Sequence, residues 1–371
     1  MRIGINATCI GQRPSGARQR LLGLLPELAK LMPESEFVVF EPADARIVEQ
    51  LDPMPNMSAR STPLSSADRW QRLVVGKRYW KHALAREHFD VFEALHMPVV
   101  RAPTGKTVLT IHDLRGLAPG STWVQRRVFR HLLRRSIARA DHVVTVSEAM
   151  RAEILAFSSA TPVSVVCNGL DASLFPDTST PSLRQDPAGL QFPGRYALAV
   201  GHFEPRKNYP TLIDAIDVLG RRGMPVPLVI VGNDSGEHSH IEVLVSDRGL
   251  QDSVLLLSGL EDDLLRHIYR DAELFVFPST YEGFGIPLLE AMASGIPIAA
   301  SDIPVFHEVL GDAGVFFDPV SAESMASAIG SLRASATLRE RLVSNGARRV
   351  KDFDFSKLAL DMAAVYRSCA A

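Results

Sequence analysis

Glu282 and Glu290 stand with seven residues between them in the stretch Tyr281-Glu282-Gly283-Phe284-Gly285-Ile286-Pro287-Leu288-Leu289-Glu290-Ala291-Met292-Ala293-Ser294-Gly295. The apolar run 274–277 before it reads as a buried strand, and Pro287 with the residues after it reads as a short helix stopped by Gly295. Glu282 then lies in the strand-to-helix loop, and Glu290, a turn inside the helix, leans back toward it. The helix start offers free N–H groups, and Gly283 and Gly285 permit close backbone approach, so anion donors stand beside two acceptors. A ligand carrying both phosphate and hydroxyls fits such a mouth. The plainer alternative is a turn with a solvated Glu290. Against it stands the otherwise apolar stretch 286–293, where a charge needs a partner.

Two further groups could take part in the same chemistry. The segment 196–212 runs from an apolar strand through Gly201-His202-Phe203-Glu204-Pro205-Arg206-Lys207-Asn208 into a helix. Fixed cations there would stabilise a diphosphate leaving group, although a solvated basic turn has the same composition. Thr107-Val108-Leu109-Thr110-Ile111 is a parallel-type strand that ends in His112-Asp113. A lone His at a strand end is commonly structural, but the carboxyl ends of parallel strands are where doubly wound domains bind ligands. The first strand, 2–6, opens into a glycine loop, with Gly16 starting an apolar helix. Glu261-Asp262-Asp263 reads as the acid-rich start of a helix rather than as a metal site.

Glu-Gly-Phe-Gly-Ile-Pro-Leu-Leu-Glu, together with Glu-Pro-Arg-Lys-Asn and Thr-Ile-His-Asp-Leu, resembles the retaining glycosyltransferases of the GT-B fold, family four, and the likeness covers nearly the whole chain. It implies an α/β architecture of two doubly wound, Rossmann-like parallel-sheet domains facing a central cleft. Residues 1–185 would form the acceptor-side domain and 195–353 the donor-binding domain, with 177–194 as linker and a terminal helix, about 354–371, packing back on the first domain. The resemblance gives Glu290 the donor ribose, Glu282 the donor sugar hydroxyls, and Lys207 with Arg206 the leaving diphosphate. The backbone of Gly283, Phe284 and Gly285 would hold sugar and phosphate, with Gly16 facing the diphosphate from the other domain. His112 would contact the reacting sugar and Asp113 would orient His112. No metal or other cofactor is implied, because amides and cations hold the diphosphate. Similarity to bacterial mannosyltransferases favours GDP-mannose, with a UDP-sugar (glucosyl or N-acetylglucosaminyl) or GDP-fucose as alternatives. Non-catalytic nucleotide-sugar binding, or a GT-B epimerase or phosphorylase, are the rival readings. The chain departs from the family pattern at His202, where arginine is common, and at Cys167 and Leu170 in the segment Cys167-Asn168-Gly169-Leu170-Asp171, where proline and valine are usual.

The length of 371 residues suits two cores rather than one. No apolar run approaches a membrane span, and the first residues read as a strand rather than a secretory leader, which predicts a cytoplasmic address. Cys9, Cys167 and Cys369 are far apart and read as free thiols. The net charge of −2 conceals a division: residues 1–195 carry 25 Lys and Arg against 18 Asp and Glu, and residues 196–371 carry 15 against 24. The basic half contains two basic, aromatic runs of helical periodicity, 69–81 and 123–139. Such helices either pack one side on a sheet with their arginines solvated or lie on an anionic surface. The resemblance implies a nucleotide sugar as partner, and with the basic half it points to a glycan or lipid-linked glycan acceptor in polysaccharide or O-antigen assembly and to peripheral contact with an anionic inner membrane. Nucleic acid is not expected, since no recognition motif accompanies the charge.

Overall fold

The structure is a computed structural model that describes residues 1–12, 15–102, 104–117, 122–175 and 194–371. The expected linker lies outside the described residues except for Gly194. In chain order the elements are β1 (Arg2–Asn6), α1 (Gly16–Leu31), β2 (Glu36–Glu41), β3 (Met57–Ser61), α2 (Arg69–Ala83), β4 (Val91–Ala94), β5 (Lys106–Ile111), α3 (Trp123–Ile137), β6 (His142–Thr145), α4 (Glu148–Leu155) and β7 (Val163–Val165). There follow β8 (Ala197–Val200), α5 (Tyr209–Arg221), β9 (Leu228–Val231), α6 (His238–Asp247), β10 (Val254–Leu257), α7 (Asp262–Asp271), β11 (Leu274–Phe277) and α8 (Ile286–Ala293). The chain closes with β12 (Ile298–Ser301), α9 (Pro304–Leu310), β13 (Gly314–Phe317), α10 (Ala322–Ala334), α11 (Ala336–Arg349) and α12 (Phe355–Ala370).

The chain divides into two compact units. The first holds Met1–Leu117, the segment ending at Leu170, and Phe353–Ala371; the second holds Asp171–Asp352. Each is built on a parallel sheet, ordered β3-β2-β1-β4-β5-β6-β7 in the first and β10-β9-β8-β11-β12-β13 in the second. Strands such as Leu228-Val229-Ile230-Val231 are apolar on both faces because helices cover both sides of the sheet. In both sheets the order reverses once, between β1 and β4 and between β8 and β11. Loops leaving the two strands at such a reversal diverge to opposite faces and open a crevice at their carboxyl ends.

Helix starts follow the local sequence. Ser15 caps α1 by accepting from the Arg18 amide, and Thr122 with Gln125 forms a reciprocal capping box on α3. The terminal helix α12 packs within the first unit, where Phe355, Leu358, Met362 and Tyr366 join the core of β1, β2 and α1. Gly23 of α1 is required there, since a Cβ on it would stand 2.1 Å from the Phe355 ring.

Candidate active site

The reversal in the second sheet lies between β8 and β11, whose register pairs Leu274 with Ala197 and Phe275 with Leu198. The loop after β8 carries Glu204, Arg206 and Lys207; the loop after β11 carries Ser279 and Glu282. Strand adjacency thus joins residues 75 positions apart. Lys207 is buried, and its Nζ lies 2.7 Å from Glu282 Oε1 and 4.8 Å from the centre of the Phe277 ring. Its side chain crosses Gly201, where a Cβ would stand 2.6 Å from the Lys207 Cε, so any other residue there would displace the lysine. Asn208 turns the chain at φ 57°, ties the two loops together by donating to the Pro278 carbonyl, and also donates to the Pro319 carbonyl after β13.

Arg206 completes the cluster. Its guanidinium lies 2.6 Å from Glu282 Oε2 and 2.5 Å from Glu204 Oε1, and it donates to the Tyr281 carbonyl at 3.2 Å. Ser279 donates to Glu282 Oε1 at 3.0 Å. Two cations and two carboxylates are thereby balanced in a buried site. Burial alone would push the Glu282 carboxyl up; Lys207 and Arg206 outweigh it and hold the carboxyl at about 2. Burial draws the Lys207 ammonium below its ordinary value, with Glu282 opposing that shift. Both cations are engaged by Glu282 in this structure.

Glu290 lies on α8 as the spacing predicts, but its partner comes from α7: the Tyr269 hydroxyl donates to Glu290 Oε2 at 2.8 Å. Burial pushes the Glu290 carboxyl up to about 6, with the Tyr269 bond opposing. The two glutamates therefore differ sharply, one locked as a carboxylate and the other close to neutral pH. Gly285 caps α8 at φ 108°, a conformation that favours glycine, and a Cβ there would also crowd Phe306, Leu288 and Phe277. Gly283 and Phe284 are buried in the same turn. Glu261, Asp262 and Asp263 stand at the start of α7, where Asp263 pairs with Arg266.

In the first unit Gly16 begins α1 and is exposed. His112 follows β5; its Nε2 is buried without a hydrogen-bond partner among the described residues, and burial, aided by the Arg20 charge, lowers the imidazole to about 3. It is a neutral ring at any ordinary pH. Asp113 does not orient it: the carboxylate accepts from the Arg115 amide at 3.1 Å and pairs with the Arg115 side chain at 3.7 Å, closing the turn after the strand. Sequence reasoning does not single out Tyr269, Ser279 or Glu204. Only the apolar stretch around Glu290 signals that a buried partner is needed.

Residues 14–174 match the family described as Glycosyltransferase Family 4, and residues 187–349 match that described as Glycosyl transferases group 1. The O-antigen chain mannosyltransferase RfbU of Salmonella typhimurium is 32% identical over 263 residues, which cover 70% of this chain and 69% of that protein. The chain belongs to glycosyltransferase family 4. O-antigen chain mannosyltransferase B of Escherichia coli is 30% identical, over 71% of this chain and 70% of that one. Among solved structures, sucrose-phosphate synthase from Thermosynechococcus elongatus superposes with a TM-score of 0.77 at 21% identity, covering 99% of this chain and 98% of that one, and so shares the GT-B fold. This glycosyltransferase thus places Lys207 and Glu282 in the loops after β8 and β11, and Glu290 on α8.

Proposed function

We propose that the chain transfers mannose from GDP-mannose, with retention and without a metal, to a hydroxyl of a lipid-linked glycan at an anionic membrane face. The observation that carries the reading is the pairing of Lys207 and Arg206 with Glu282 at the β8–β11 reversal, with Glu290 held by Tyr269 on the neighbouring helices. The mannosyltransferase relatives in O-antigen synthesis support the sugar and the class of acceptor.

In this reading Glu290, as a carboxylate, accepts from the ribose diol, while the backbone of Gly283, Phe284 and Gly285 holds sugar and phosphate. Lys207 and Arg206 meet the diphosphate as negative charge grows on it, and Glu282 shares its oxygens between those cations and the sugar hydroxyls. Because Glu282 is the lysine's partner, it keeps the ammonium charged in a buried site. The family resemblance assigns neutral His112 of the first unit to a sugar hydroxyl and Gly16 to the diphosphate. The bond from the anomeric carbon to the phosphate oxygen breaks, the acceptor oxygen bonds to the same face of that carbon, and the acceptor proton passes to the departing phosphate oxygen. No carboxylate is assigned as a nucleophile.

The test is transfer from GDP-mannose to a soluble alkyl mannoside with the product's anomeric configuration read by NMR, with and without a chelator. An α-linked product formed equally well with chelator is expected. A β-linked product, or activity restored only by added metal, would overturn the mechanism.

A further inference from the structure

The helix α3 has two unlike faces. Leu133, Ser136 and Ile137 are buried, and Phe129 packs over Gly116, where a Cβ would stand 2.3 Å from its ring. At 3.6 residues per turn the opposite face gathers Trp123, Val124, Arg127, Val128, Arg130, His131, Arg134 and Arg135, all exposed. Trp123 is 71% exposed, Val124 60% and Val128 54%. Arg127 lies over the Trp123 ring at 5.5 Å. The helix contains no acid, and among the described residues Arg127, Arg130, Arg134 and Arg135 form no ion pair. A second helix of the same unit, α2, exposes Trp70 and Val74 beside Lys77, Arg78 and Lys81.

We infer that the Trp123, Val124, Val128 face of α3, with Arg127, Arg130 and Arg134, is the surface on which this protein lies against an anionic lipid bilayer. Exposed apolar side chains among unpaired cations suit the boundary between acyl chains and charged headgroups. The indole, amphipathic and paired with a guanidinium, suits the same depth. A nucleic acid would use the cations but leave Val124 and Val128 in water. Charge complementarity therefore favours lipid. The inference deepens the proposed membrane-side acceptor reading by naming the contact surface. Vesicle binding does not need transfer, so the two can fail separately.

The test is sedimentation of the full-length protein with vesicles of phosphatidylcholine alone and of phosphatidylcholine mixed equally with phosphatidylglycerol. Binding to the anionic vesicles only, weakening as salt rises, is expected. Arg127→Gln with Arg130→Gln and Arg134→Gln should bind them about a hundredfold more weakly. Val124→Ser with Val128→Ser should weaken binding and reduce the blue shift of tryptophan emission on lipid. Since these side chains are exposed, both variants should melt as the parent does. Equal binding to both vesicles, unchanged binding by the arginine variant, loss of cooperative melting, or binding of duplex RNA in place of vesicles would each overturn the assignment.

Discussion

Tyr269 donates to Glu290 across the 2.8 Å between α7 and α8, and this is the contact that keeps a carboxylate usable in a buried position. Without it, burial would push the acid higher than about 6. In the proposed reading the ribose diol needs the ionised form. Donor binding should therefore rise as pH increases through about 6. Apo stability should move the other way: a carboxyl raised in the folded state contributes most below its unfolded value and loses that contribution as pH rises through about 6. Tyr269→Phe should shift the binding midpoint upward, as followed by donor titration across pH. Glu290→Gln should bind donor about ten- to a hundredfold more weakly, as expected for a lost hydrogen bond to a charged group, with little pH dependence. A wild-type midpoint unmoved in Tyr269→Phe would count against the contact's role.

The Lys207–Glu282 pair should be costly to break from one side. Glu282→Ala leaves buried Lys207 without its carboxylate partner and Arg206 with Glu204 alone, and should lower unfolding free energy by about 3–5 kcal/mol in urea titrations. Removing Lys207 as well, as Lys207→Met in the same chain, should cost less than the two single changes added together. Because the Glu282 carboxyl is depressed to about 2, its contribution is present above the ordinary carboxyl range and lost as pH falls toward about 2. Additive losses, or a Glu282→Ala variant with unchanged acid stability, would contradict the pairing.

His112 is held neutral, so it should contribute no limb to the pH–rate profile between about 5 and 8. His112→Ala should lower kcat about a hundredfold or more while leaving donor affinity near the parent value. Asp113→Asn, which disturbs only the turn to Arg115, should have a much smaller effect. A large loss in Asp113→Asn with His112→Ala active would reverse the two assignments.

The terminal helix should anchor the first unit. Gly23→Ala gains roughly 1 kcal/mol of helix propensity but drives a methyl into the Phe355 ring, and overpacking of that kind costs about 1–3 kcal/mol. Net destabilisation is expected in thermal melts. Tyr366→Phe removes a 2.5 Å hydrogen bond to buried Glu93, whose other oxygen accepts from Thr110, and should cost about 1–3 kcal/mol. Stabilisation by either change would refute the packing described.

The local parts of this design are legible in the residues themselves. The strand at 274–277, the helix stopped at Gly295 and the acid-led start of α7 are set by apolar runs, capping residues and glycine, all of which act over a few positions. The wiring between them is not. Lys207 meets Glu282 because β8 and β11 are neighbours in the sheet although β9 and β10 separate them in the chain. Tyr269 reaches Glu290 only through the packing of α7 on α8. At Asp113 the adjacent His suggests a partner, whereas the carboxylate reaches forward to the Arg115 amide, a choice that loop geometry makes and residue order does not reveal.

The β8–β11 site should take a guanosine diphosphate sugar, and thermal shift reads this directly. Purified protein would be melted with GDP-mannose, GDP-fucose, UDP-glucose, UDP-N-acetylglucosamine, GDP and UDP, beside Glu290→Gln. A ligand at a hundred times its dissociation constant adds roughly 2.7 kcal/mol, enough to move the midpoint visibly. The prediction is stabilisation by GDP-mannose and GDP that is largely lost in Glu290→Gln. Stabilisation by the uridine ligands alone, or by none of the six, would contradict it.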